Sequence, residues 1–143
     1  MINQAVRYYL NSYKGLTRDI WLLSFVNLIN RCGTMVIPFL MLYLTSQLGC
    51  SISQAGIVIS LWGIGAFVGG YFGGKLTDTI GFQKVQLGAL FFGGIGFILL
   101  GQLRSYFAIC SFTFFLAMVN ESFRPANSAA IGKYSNEENR MRS

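Results

Sequence analysis

Residues 54–74, QAGIVISLWGIGAFVGGYFGG, decide the fold class of this 143-residue chain. They are almost all apolar or small, and none of them is charged. A helix of about 20 such residues matches the thickness of the hydrocarbon core of a bilayer. The run is too long for a β-strand, and it lacks the strict alternation of apolar and polar residues that barrel strands show. The stretch therefore predicts a membrane-spanning α-helix.

Three further apolar stretches of comparable length occupy residues 20–44, 85–103 and 105–132. Only 11% of the chain is charged, whereas a typical soluble domain carries about 25%. We therefore predict an all-α integral membrane protein with four transmembrane helices within residues 20–132. Residues 1–19 are predicted to form a cytoplasmic tail. Residues 133–143 are predicted to form a cytoplasmic segment, which we interpret as truncated.

The residues that the chain lacks exclude several classes of function. It contains no histidine and its three cysteines are widely spaced, so we expect no metal site and no cofactor. Neither a phosphate-binding glycine motif nor a nucleophile–base pair is visible, so we do not expect an enzyme.

The basic residues predict the orientation of the chain in the membrane. With both termini in the cytoplasm, the inner segments contain eight basic residues and the outer segments only Arg104. The eight are Arg7, Lys14, Arg18, Lys75, Lys84, Lys133, Arg140 and Arg142. Positive residues concentrate on the cytoplasmic side and bind anionic headgroups. The net charge of +6 therefore indicates contact with the lipid bilayer, and we expect no nucleic-acid partner.

Polar residues lie at mid-membrane depth in the first and fourth predicted helices. Arg31 is roughly 16 Å into the first helix at 1.5 Å per residue. Asn27 shares its helix face and Asn30 borders that face. In the fourth helix Glu121 and Arg124 have the i, i+3 spacing of a pair.

Charges inside a membrane usually face the bundle interior or a water-filled cavity. We therefore predict a substrate or ion pathway between the first and fourth helices, with Glu121 at a depth where it can meet Arg31. A structural ion pair that only fixes helix packing is the alternative. The candidate pathway residues are Asn27, Asn30, Arg31, Asn120, Glu121 and Arg124.

Glycines repeat at four-residue intervals in the second predicted helix, at Gly65, Gly69 and Gly73. This spacing of small residues lets two membrane helices approach closely. The sequence predicts a tight helix contact there and leaves open whether that contact is static or slides.

The inner loop predicted at residues 75–84 carries a family resemblance. Residues 73–84, GGKLTDTIGFQK, resemble the G-x-L-A-D-R-x-G-R-R signature loop of the major facilitator superfamily. The matching positions are Gly74, Leu76, Asp78 and Gly81. The chain departs at Thr79, Phe82 and Gln83, where arginine or lysine is usual, and Lys84 is a displaced positive charge.

Two other stretches, residues 31–49 and 124–142, are similar to the first and fourth helices of bacterial members with their following loops. Thr113 stands where many drug:proton antiporters of the superfamily have an arginine, and Leu116 and Ala117 replace the Gln-Gly that follows it. The resemblance covers residues 20–142, which correspond to the first third of a family member.

The resemblance implies a secondary active transporter of twelve helices in two six-helix halves, with helices one and four lining the cavity between the halves. It implies alternating access, with proton-coupled efflux of a small molecule or drug as one form. From its position in the fourth helix, we take Glu121 as the candidate for a proton-titrating group in such a mechanism. Asp78 would latch the two halves together on the cytoplasmic side, although it also suits a simple turn. The implied partners are a small-molecule substrate and the missing C-terminal half, and the implied location is a bacterial inner membrane.

Two other functions fit a four-span chain. One is a small multidrug transporter that works as a dimer of two copies, although those proteins resemble one another by a glutamate in the first span, where this chain has Arg31. The other is a membrane assembly subunit that transports nothing and docks through its glycine-rich second helix. The signature loop with Asp78 favours the transporter.

Overall fold

The computed structural model describes residues 18–134, and these residues form six α-helices and no strand. The helices are α1 (Arg18–Thr34), α2 (Val36–Ser46), α3 (Ile52–Ile80), α4 (Phe82–Leu100), α5 (Tyr106–Glu121) and α6 (Phe123–Tyr134). Together they make four candidate membrane spans, because α1 continues into α2 and α5 continues into α6. The predicted all-α fold with four membrane helices is confirmed. The terminal segments before residue 18 and after residue 134 lie outside the described residues.

The first and fourth spans are each interrupted four residues before a proline. α1 ends at Thr34, before Pro38, and α5 ends at Glu121, before Pro125. Proline has no N–H with which to bond the carbonyl of residue i−4, and its ring clashes with that carbonyl. At the first break the helix tightens to an i→i−3 turn, in which the Met35 N–H donates to the Cys32 carbonyl at 3.2 Å. The single continuous helices that we predicted for these two spans are therefore broken helices.

The predicted inner loop at residues 75–84 is largely helical. α3 continues to Ile80 and α4 begins at Phe82, so Gly81 alone joins them. Gly81 has a φ of 88°, and its N–H donates to the Thr77 carbonyl at 3.0 Å. Residues 75–80 contain neither glycine nor proline, so nothing ends the helix until Gly81, the one residue type that adopts this φ at low cost. Gly74 and Asp78 thus lie on a helix rather than in a loop.

The glycine stripe of α3 packs against the backbone of the fourth span. Gly65, Gly69 and Gly73 are all buried. A Cβ atom at Gly69 would lie 2.6 Å from Met118 Cα, and one at Gly73 would lie 2.5 Å from Ser122 Cα. The two helices are therefore in backbone contact, which only glycine allows.

The first span changes its packing partners at its break. α2 packs against α3, whereas α1 contacts α6 and α4. The apolar core on the α2 side joins four elements through Leu40, Leu44, Ala55, Val58, Leu100, Ile109 and Leu116. The α1 side instead holds the polar residues of the first span.

Candidate functional site

A crevice of about 140 Å³ lies between the first, third and fourth spans. Two of the predicted pathway residues line it, and both are buried. Asn30 on α1 is 7% exposed and Asn120 on α5 is 4% exposed. Each is close to the middle of its 29-residue span. The lining residues are Ile29, Asn30, Gly33, Ala89, Leu90, Gly94, Phe97 and Asn120. The crevice is thus an apolar chamber with two amides at mid-membrane depth.

The Asn120 amide is buried with an unpaired oxygen. Its Oδ1 accepts no hydrogen bond from any described residue. Its Nδ2 lies 3.3 Å from the position that a Cβ atom at Gly93 would take, so the glycine makes room for the amide. A buried acceptor without a donor costs about 1–3 kcal/mol, so the unpaired oxygen opposes the stability of this part of the bundle.

The charged pathway residues occupy other positions. Glu121 Oε2 lies 3.6 Å from Arg124 Nε, and this is the one ion pair within residues 18–134. The Glu121 side chain is 15% exposed and that of Arg124 is 66% exposed. Arg31 is exposed and forms no ion pair with the described residues. The predicted meeting of Glu121 with Arg31 is therefore not what the structure has.

The helical repeat explains this separation. Successive residues of an α-helix are about 100° apart around its axis. Because Asn30 faces the bundle, Arg31 points away from it, and Asn27 is left half-buried outside the crevice lining. The six predicted pathway residues thus divide into an amide pair in the crevice, three charged side chains at more exposed positions, and the half-buried Asn27 outside the crevice.

Three buried polar residues were not among the predicted site residues: Thr77, Gln86 and Thr113. Thr77 on α3 is 8% exposed, and its Oγ1 donates to the Gly73 carbonyl at 2.7 Å. Gln86 on α4 is 7% exposed, and its Nε2 donates to Asn127 Oδ1 at 3.3 Å. Thr113 on α5 is fully buried, and its Oγ1 has no hydrogen-bond partner among the described residues. Gln86 could have been found from its amide in an otherwise apolar stretch. Thr113 was noted only as the position where related antiporters have an arginine. Its unpaired hydroxyl could not be foreseen, because a threonine hydroxyl in a membrane helix can bond its own backbone.

The signature at residues 73–84 lies where the end of α3, the start of α4 and the end of α6 come together. Asp78 is exposed on the last turns of α3 and forms no ion pair within residues 18–134. Lys133 Nζ lies 5.5 Å from the centre of the Phe82 ring, which joins the end of α6 to the start of α4. Lys75 and Lys84 are exposed at this same end, and Arg104 lies at the opposite end of the bundle.

No group of three histidine, cysteine, aspartate or glutamate residues within residues 18–134 is arranged to hold a metal ion. Cys32, Cys50 and Cys110 are free thiols. What the described residues offer is therefore amide, carboxylate and guanidinium chemistry inside a membrane bundle.

A sequence profile described as Major Facilitator Superfamily matches residues 23–143. The chain belongs to the major facilitator superfamily. The resemblance that residues 73–84 suggested is thereby confirmed.

One curated relative in this superfamily is an uncharacterized MFS-type transporter, YqjV, of Bacillus subtilis strain 168. It is 26% identical over 136 residues, which cover 92% of this chain and 32% of that protein. The chain thus spans about a third of the length of this relative. No solved structure matches the chain.

Proposed function

We propose that this facilitator chain is the N-terminal part of a secondary active transporter that works by alternating access. Such transporters expose a mid-membrane site to one side of the membrane at a time. The chain matches the superfamily profile over residues 23–143 and covers 32% of its relative. The rest of the transporter would supply the second wall of the transport cavity.

The observation that carries this proposal is the exposure of two arginines near mid-span. Arg31 is the fourteenth residue of its 29-residue span and is exposed. Arg124, beside the break in the fourth span, has a side chain 66% exposed. An arginine that faced hydrocarbon at this depth would cost about 3 kcal/mol on insertion scales. These surfaces therefore suit contact with a water-filled cavity or another protein surface.

Glu121 is the proposed proton carrier of this pathway. It lies at the break of the fourth span, and Arg124 provides a counter-charge at 3.6 Å. A protonated glutamate would release that arginine, which could then attract an anionic group of the substrate. Thr113 replaces the arginine of the drug:proton antiporters, so Arg31 and Arg124 are the cations available for this role.

Asp78 is the proposed latch residue, and the end of the bundle that carries it is the proposed cytoplasmic end. Asp78 is exposed one turn before Gly81. Lys75, Lys84 and Lys133 share this end, as the excess of basic residues on the cytoplasmic side requires. We place the protein in a bacterial inner membrane with both termini in the cytoplasm.

Cysteine labelling tests alternating access without knowledge of the substrate. Arg31→Cys and Arg124→Cys would be made separately in the full-length protein after its native cysteines are changed to serine. Right-side-out and inside-out vesicles would then be treated with a membrane-impermeant methanethiosulfonate. We expect both sites to react in both kinds of vesicle, because each surface opens to each side in turn. The matched control is Phe67→Cys, since Phe67 is 81% exposed near the middle of α3 and is expected to face hydrocarbon.

Labelling in only one vesicle orientation would contradict alternating access. Labelling in neither orientation would support a dry structural pair, which is the alternative interpretation. Glu121→Gln tests the proton step separately: it is expected to leave cysteine labelling intact and to abolish the dependence of labelling on an imposed pH gradient.

A further inference from the structure

We propose that a groove between α3 and α4 binds a phospholipid of net negative charge. The acyl chain would lie along the apolar wall of the groove, and the phosphate would meet Lys84 at its mouth. None of the six predicted pathway residues lines this groove, so the site is separate from the proposed transport pathway.

The groove measures about 330 Å³ and lies where the two helices are splayed. Gly81 alone joins α3 to α4, yet each helix packs more extensively against α5 than against the other. Leu76 and Ile80 line the groove from α3, and Val119 lines it from α5. The space between the helices is therefore left open along their surface.

The wall that α4 contributes leads from a charge to apolar surface. Lys84, Gly88 and Phe92 recur every four residues, so they lie along one face of α4. Phe92 is about 12 Å further along the helix than Lys84, at 1.5 Å per residue. A Cβ atom at Gly88 would meet nothing within 4 Å. Ser122, the other polar residue of the lining, already donates from its Oγ to the Met118 carbonyl at 2.8 Å. Beyond Lys84 the groove thus offers mainly apolar surface.

The mouth of the groove carries positive charge without a counter-charge. Lys84 is the third residue of its span, is exposed and forms no ion pair within residues 18–134. It lies in the first turn of α4, where the helix dipole is also positive. That turn contains no acidic residue and no side chain caps it, and no carboxylate lines the groove. An anion at the mouth would therefore offset both the lysine and the dipole.

A phospholipid of net negative charge meets both requirements at once. Its phosphate lies at the membrane surface, where this span begins, and its acyl chain extends into the hydrocarbon. Basic pockets between membrane helices bind such headgroups. Water does not suit the groove, because a buried water molecule needs two to four polar partners. A helix of the remaining protein would cover the apolar wall but would bury Lys84, which is costly without a carboxylate.

Quenching of tryptophan fluorescence by brominated lipids tests the proposal. Phe92→Trp would be made in the full-length protein after its other tryptophans are changed to phenylalanine. Phe92 is 63% exposed, so this variant is expected to fold. Vesicles would contain equal amounts of phosphatidylglycerol and phosphatidylcholine. In one sample only the phosphatidylglycerol carries bromine in the middle of its acyl chains, and in the other only the phosphatidylcholine does.

We expect the introduced tryptophan to be quenched more strongly by brominated phosphatidylglycerol. The difference should correspond to binding about fivefold tighter than that of phosphatidylcholine, which is what one lysine near the headgroup provides. Lys84→Gln, combined with the reporter, should abolish this preference. Gly88→Leu should fill the groove and lower the quenching by brominated phosphatidylglycerol.

Two matched controls separate the groove from its surroundings. Lys75→Gln removes a lysine at the same end of the bundle that lies outside the groove, with its Nζ 5.4 Å from the centre of the Tyr71 ring. It is expected to keep the preference. Phe67→Trp places the reporter outside the groove at a position that is 81% exposed. It is expected to be quenched equally by the two lipids.

Three results would overturn the proposal. Quenching at Phe67→Trp but not at Phe92→Trp would mean that a segment of the remaining protein covers the groove. Equal quenching of Phe92→Trp by both lipids would mean ordinary, non-selective lipid contact. A preference that survives Lys84→Gln would mean that Lys84 does not hold the phosphate. Failure of the transport proposal would leave the quenching unchanged, so the two are tested independently.

Discussion

Replacing Gly69 with alanine is the sharpest test of the α3–α5 contact. The new Cβ atom would lie 2.6 Å from Met118 Cα, about 0.8 Å short of the 3.4 Å at which ordinary contact begins. The obstacle is backbone, so no side-chain rotation relieves it. The two helices would have to separate, which would also weaken the contacts of Gly65 and Gly73 and the 3.2 Å hydrogen bond from Ser122 Oγ to the Gly69 carbonyl.

We expect Gly69→Ala to lower the free energy of unfolding by about 1–3 kcal/mol, the usual cost of overpacking. Gly70→Ala is the control, because a Cβ atom there meets nothing within 4 Å. It is expected to be neutral or to stabilise the helix by about 0.5–1 kcal/mol through the better helix propensity of alanine. Unfolding would be carried out in mixed detergent micelles and measured by tryptophan fluorescence. Equal stability of the two variants would refute the backbone contact.

Three further predictions concern single backbone features. Gly81→Ala should destabilise the protein by about 1–3 kcal/mol, since alanine is strained at the φ of 88° and ψ of 150° found there. The same micelle assay measures this loss, with Gly74→Ala as the unstrained control. Ser51→Ala should cost about 1 kcal/mol, because Ser51 caps α3 by accepting from the Gln54 N–H at 3.2 Å; a melting temperature equal to that of Ser53→Ala would contradict the cap. Pro125→Ala should restore an N–H that can bond the Glu121 carbonyl and make the helix continuous at Ser122. Slower amide hydrogen exchange around Ser122 is expected. Unchanged exchange would show that helix packing, and not the proline, causes the break.

Local patterns in the sequence were sufficient for several features. The four-residue spacing of Gly65, Gly69 and Gly73 predicted one helix face, because the helical repeat depends only on the chain itself. The span boundaries were less accurate. The apolar stretch ends at Gly74, but helix α3 continues to Ile80 and ends only at Gly81, where the backbone leaves the helical conformation.

The polar residues of the first span show where local patterns fail. The spacing of Asn27 and Arg31 places them on one helix face, and we predicted that this face lies toward the inside of the bundle. In the structure Asn30 is buried and Arg31 is exposed. A periodic pattern fixes which residues lie together on a helix, but the rotation of the helix about its axis depends on its neighbours.

The sequence by itself determined that this chain is a four-span helical membrane protein of the major facilitator superfamily. Span length, the lack of charge and the signature at residues 73–84 are properties of contiguous residues, so no neighbour can change them. The i, i+3 spacing also predicted the pair of Glu121 with Arg124, but only the tertiary structure decided that Arg31 stays apart from this pair and that Asn30 and Asn120 share a crevice. These outcomes depend on the breaks before Pro38 and Pro125 and on the close approach at the glycine stripe, which set how the spans are rotated and spaced.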